Sequence, residues 1–80
     1  MSDARSDLAV IIPTLNAEAG LAATLAALPP VAQRIVVDGG STDGTIEVAR
    51  AAGAQVLQSP PGRGVQLAAG AAAAQAPWLL

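Results

Sequence analysis

Three features of this 80-residue chain predict an α/β fold with a parallel sheet and helices on both faces. Short apolar or β-branched runs recur along it, and each is followed by a stretch whose apolar residues keep helical spacing. Glycine or proline punctuates the junctions. The resulting order of strand, helix, strand, helix, strand, helix, strand is the alternation that gives parallel strands joined by right-handed crossovers.

Residues 8–12, LAVII, form a continuous apolar run ended by Pro13, which suits a strand buried on both faces. Asn16 can cap the helix that follows. Glu18 sits in its first turn, where the dipole favours an acid, and Leu21, Leu25 and Leu28 recur at helical spacing. Pro29 and Pro30 end that helix. Residues 34–37, RIVV, are the second strand, and residues 45–52 the second helix, with Asp43 as its N-terminal cap and Gly53 as its C-terminal cap. Residues 54–57, AQVL, make the third strand. Residues 65–75 make a third helix so rich in alanine that it can lie very close to its neighbours. Pro77 closes this helix, and WLL reads as the beginning of a fourth strand. The polar residues 1–7 are expected to be disordered, and the whole of 1–80 reads as one unit.

The totals narrow the possibilities. A domain this small buries only about 60% of the surface its unfolded chain exposes. Although 52% of residues are apolar, Trp78 is the only aromatic, so large core side chains are scarce. Four arginines against six acids, a net charge of −2, leave no electrostatic footprint for nucleic acid. The absence of cysteine and histidine rules out a disulfide framework, thiolate or imidazole metal ligands, and a serine–histidine triad. The N-terminus MSDARSD lacks the basic-then-apolar layout of a signal peptide, and no run approaches the roughly 18 apolar residues of a membrane span. A cytoplasmic chain is expected, with room for attachment at the inner face of a membrane through regions outside these residues.

In a parallel sheet the loops that follow the strands emerge on one edge, where ligands bind. Here those loops are PTLN (13–16), DGGSTDG (38–44) and SPPGRG (59–64). Each marked residue has a structural reading beside a ligand-binding one. Thr14 and Asn16 end a strand and cap a helix, Asp43 caps the next helix, and Glu18 complements a dipole. Asp38 stands at the end of an apolar strand and needs donors, from the glycine-rich turn or from a ligand. Arg63, between two glycines after a diproline, is either solvated or placed to hold a phosphate. The familiar nucleotide fingerprints fail: Leu67 stands where a G-x-G-x-x-G motif needs its third glycine, and the chain has no lysine for a phosphate loop.

VIIPTLNAE followed by RIVVDGGSTDGT resembles the opening of family 2 glycosyltransferases. The match lies in Pro13-Thr14-Leu15-Asn16-Ala17-Glu18 and in Asp38-Gly39-Gly40-Ser41-Thr42-Asp43-Gly44-Thr45. GRGVQLAAG resembles a bacterial branch reading G-R-x-x-Q-x-N-x-G, with Ala68 in place of the asparagine. The resemblance implies a GT-A-type fold, here its N-terminal part: a truncated Rossmann-like parallel sheet. It also implies transfer of a sugar from a nucleoside diphosphate sugar to an acceptor these residues do not specify.

On that resemblance Thr14 lies against the nucleoside, Asp38 accepts a hydrogen bond from the base, and Arg63 supports the base or the phosphates. Ser41, Asp43 and Thr45 shape the loop. The family's divalent metal, Mg or Mn, and its catalytic base are implied to lie beyond Leu80, so no metal ligand and no catalytic residue is expected among these residues. The remainder of the catalytic domain is then a necessary partner, and the chain should not turn over without it. Two alternatives stand beside this reading. One is a non-catalytic nucleotide-binding or assembly module that pairs through the sheet edge at residues 78–80. The other is a nucleotidyltransferase with a related sheet, expected to show a glycine-rich basic loop where this chain has PTLNAE.

Overall fold

The computed structural model describes residues 8–28, 33–74 and 78–79. Its elements are β1 (Leu8–Thr14), α1 (Glu18–Ala27), β2 (Gln33–Asp38), α2 (Thr45–Ala51), β3 (Gln55–Gln58), α3 (Arg63–Ala73) and β4 (Trp78–Leu79). All strand pairs are parallel, in the order β3-β2-β1-β4. The predicted alternation and sheet are therefore the observed ones. The expectations for residues 1–7, Pro29, Pro30, Gln75, Pro77 and Leu80 fall outside the described residues.

Alternation along the strands divides the core between two faces. Val36, with Ile12 and Val56 beside it, packs under Leu21 and Leu25 of α1 and Ala49 of α2. The intervening Ile11 and Val37 face α3, which approaches so closely that a Cβ on Gly70 would lie 3.1 Å from Val37 Cγ2 and collide with Ile11 Cγ2. The alanine-rich composition and Gly70 thus let α3 lie flush on the sheet. Leu25, 1% exposed, contributes about 1.5–3 kcal/mol by burial.

The strand bounds differ from expectation in an instructive way. Pro13 does not end β1; it pairs in register with Val37, and the strand runs on to Thr14. The Thr14 carbonyl points toward β2, where it accepts from the Gly39 amide at 2.9 Å. Neighbouring residues of a strand face opposite edges, so the proline nitrogen is turned away from β2 and costs that ladder nothing. In the same way β2 extends to Asp38, and α3 starts at Arg63 rather than Val65.

Gly53 does close α2, as predicted. It takes φ 83° after the C-cap Ala52, its amide donates to the Arg50 carbonyl at 3.0 Å, and the Ala54 amide reaches the Ala49 carbonyl at 3.1 Å. This is a Schellman ending, which favours glycine at the left-handed position. Arg34 Nη2 donates to the Ala52 carbonyl at 3.0 Å and brings a positive charge to the negative end of the helix.

Candidate functional site

Thr14 and Asp38 are register partners at the carboxyl ends of β1 and β2, so the loops that follow leave the sheet side by side. The Asp38 carboxylate is 0% exposed. Its Oδ1 accepts from Thr14 Oγ1 at 3.0 Å and Ser41 Oγ at 2.5 Å, and its Oδ2 accepts from the Gly40 amide at 3.0 Å and the Ser41 amide at 2.7 Å. Gly40, at φ 105°, supplies the left-handed turn that aims these amides inward. Burial pushes the carboxyl upward in pKa, but the Ser41, Gly40 and Thr14 donors outweigh it and hold it below the ordinary aspartate range.

A second set of bonds clasps the two loops together. The Asn16 amide donates to Ser41 Oγ at 2.8 Å, the Ala17 amide to Thr45 Oγ1 at 2.9 Å, and the Glu18 amide to Asp43 Oδ2 at 3.2 Å. In return the Thr42 amide donates to Asn16 Oδ1 at 2.8 Å, and the Gly44 amide to Glu18 Oε1 at 3.0 Å. Asp43 Oδ1 also accepts from the Thr45 amide at 3.0 Å and from Thr45 Oγ1. That hydroxyl bond leads in lowering the Asp43 pKa; burial opposes it, and the Thr45 and Glu18 amides add to it.

This arrangement corrects the local capping expectations. Asn16 does not cap α1: the N-cap is Ala17, while Asn16 takes a left-handed φ of 52° and turns its side chain to the other loop. Asp43 is not the N-cap of α2, which is Gly44; it stands one residue earlier and serves the first amides of both helices. Glu18 complements the α1 dipole as expected, and it also holds the residue that starts α2. The contacts expected between a nucleotide and the side chains of Thr14 and Asp38 meet groups that are 4% and 0% exposed, with their polar atoms already bonded to each other. Both lie beneath the loop surface.

The third loop brings Arg63 to the first turn of α3, exposed and with no acid in that turn. Sequence reasoning missed Gln66. It is 5% exposed, its Nε2 donates to the Thr14 and Val37 carbonyls at 2.9 and 2.8 Å, and its Oε1 accepts from the Gly62 amide at 3.1 Å. The available signal was the glutamine of the G-R-x-x-Q pattern, a position that Gln66 fills.

Among the described residues the carboxylates do not fit a metal. No group of three candidate ligands occurs among them, and Asp38, Asp43 and Glu18 Oε1 already accept from amides and hydroxyls. No helix among the described residues is long and apolar enough to cross a membrane.

A parallel α/β sheet with three polar, hydroxyl-bearing loops gathered at the carboxyl ends of its strands is the arrangement in which open α/β sheets take ligands. The profile of glycosyl transferase family 2 matches residues 9–80, and the chain belongs to that family. Proteins named as uncharacterized glycosyltransferases of Mycobacterium bovis and Mycobacterium tuberculosis are 48% identical over 69 residues, 85% of this chain and 32% of theirs. The chain thus spans about a third of the length of these curated relatives. Among solved structures, glucosyl-3-phosphoglycerate synthase of M. tuberculosis, in complex with Mn2+, uridine diphosphate and glucosyl-3-phosphoglycerate, superposes with a TM-score of 0.81 at 32% identity, over 90% of this chain and 31% of that one. A mycobacterial protein superposes with a TM-score of 0.82 at 30% identity, over 90% of this chain and 29% of that one.

Proposed function

We propose that these residues form the nucleotide-binding part of a glycosyltransferase that moves a sugar from a nucleoside diphosphate sugar to an acceptor. The observation that carries this reading is the likeness, over 90% of the chain, to a synthase solved with uridine diphosphate. The site chemistry agrees with it. Arg63 stands at the positive end of α3, where helix dipole and guanidinium together favour a diphosphate, and Leu15, 53% exposed, offers apolar surface for a base beside Thr14. Thr14 and Asp38 contribute from below by fixing the loop on which the nucleotide rests. The Mg2+ or Mn2+ of the complete enzyme, and the base that activates the acceptor, belong to residues outside those described, with which this part forms one catalytic domain.

Calorimetric titration of the complete protein carrying these residues with uridine, guanosine and thymidine diphosphates, with and without manganese, tests the reading. One diphosphate should bind, and its sugar derivative should be a donor. Arg63→Ala should weaken that binding about tenfold, the scale of a lost charged contact, while leaving the melting temperature unchanged, because the side chain is exposed. Failure of all three to bind, together with failure to transfer sugar from any of a panel of nucleotide sugars, would refute it.

A further inference from the structure

Four polar side chains are buried among the described residues: Thr14, Asp38, Thr45 and Gln66. The first three bond within or between the two clasped loops; Gln66 reaches them from the other face of the sheet. Two carbonyls face the Gln66 nitrogen and one amide faces its oxygen, so the orientation of the carboxamide is fixed by its partners, and both of its protons are used. The amide lies flat on Gly39, where an added Cβ would come within 3.0 Å of it. One side chain therefore ties the ends of β1 and β2 to Gly62, the residue before Arg63.

The geometry points to Gln66 as the positioning residue that sets Arg63 against the nucleotide edge, an inference that rests on the reading above. The Arg63 side chain makes no hydrogen bond or ion pair to another described residue, so its location is inherited from the backbone at Gly62 and the first turn of α3. That backbone is held at its amide by Gln66 Oε1, at 3.1 Å, and through Gln66 Nε2 by the strand ends. A substitution that keeps the shape of residue 66 while removing its hydrogen bonds releases the loop and leaves the apolar packing of α3 in place.

The test compares the complete protein with Arg63→Ala, Gln66→Met and the double variant, titrating each with uridine, guanosine and thymidine diphosphates and recording its melting temperature. Gln66→Met should bind the preferred diphosphate about tenfold more weakly, and should cause no further loss when Arg63 is already alanine, because the two act as a unit. Affinity within about twofold of the parent, or losses that multiply in the double variant, would overturn the inference. A measurement on the unaltered protein guards against a variant that does not fold. With diphosphate bound, the Gly62 amide should exchange its hydrogen more slowly, in step with Gly39; a Gly62 amide that exchanges as freely as before also overturns it. If none of the three diphosphates binds the parent protein, the proposed function falls, and this inference falls with it.

Discussion

Replacing Asp38 separates a loop organiser from a direct ligand contact. In the structure its Oδ2 meets two backbone amides and its Oδ1 meets two hydroxyls. Asparagine can keep its oxygen toward the amides and turn its NH2 toward the hydroxyls of Thr14 and Ser41, which rotate to accept. What is lost is charge assistance, partly offset by relief from burying the charge, so Asp38→Asn should cost about 1–2 kcal/mol. Asp38→Ala strands all four donors. Gly40 is exposed and Ser41 half-buried, so water can reach part of the gap, and the cost should be about 3–5 kcal/mol, as for a broken buried polar network. Urea unfolding of the two variants measures both numbers. An alanine variant that costs under about 1 kcal/mol, or an asparagine variant as damaging as alanine, would refute the reasoning.

Gly70→Ala should destabilise by about 1–3 kcal/mol, because its Cβ meets Ile11 and Val37, whereas Gly20→Ala, with open space around it in α1, should stabilise by about 0.5–1 kcal/mol; thermal unfolding of the pair checks the contrast. Thr45→Val keeps the buried shape but leaves the Ala17 amide without its acceptor, and should cost about 1–2 kcal/mol in the same assay. Asp38 and Asp43 both titrate below the ordinary range when folded, so the stability they give is complete above their unfolded pKa of about 3.9 and is lost as pH falls through the lower folded values. Melting temperature should drop across that acidic window, and the drop should shrink in Asp38→Asn; an unchanged acid profile in that variant would count against the assignment.

Most of the fold was legible because it follows from local pattern: apolar runs for strands, leucines at helical spacing, and Gly53 at the end of α2. The placement of three loops on one edge followed from strand order. The sequence misled where a local rule competed with a long-range partner. Asn16 is a good cap for the helix just after it, and nearest-neighbour reasoning assigned it so; Asp43 keeps its local role toward the Thr45 amide but adds a bond to the other helix that no local rule foresees. The parallel register instead sets Thr14 beside Asp38, and side chains 25 residues apart then reach across to each other's amides. Asp38 was recognised as needing donors, but whether these came from the turn or from a ligand depended on the path of residues 39–41. Gln66 was illegible for a related reason: nothing in α3 shows which strand ends its carboxamide will meet.

The reciprocal bonding of Glu18 to Gly44 and of Asp43 to Glu18 has an evolutionary reading. Each acid neutralises the start of the helix that the other belongs beside, so a change at one leaves an amide bare on the opposite loop. The two segments are consequently not free to drift apart: substitutions at 16 and 18 should be accepted mainly in company with changes between 41 and 45. Across descendants of this chain the pair would be inherited as one character written in two places.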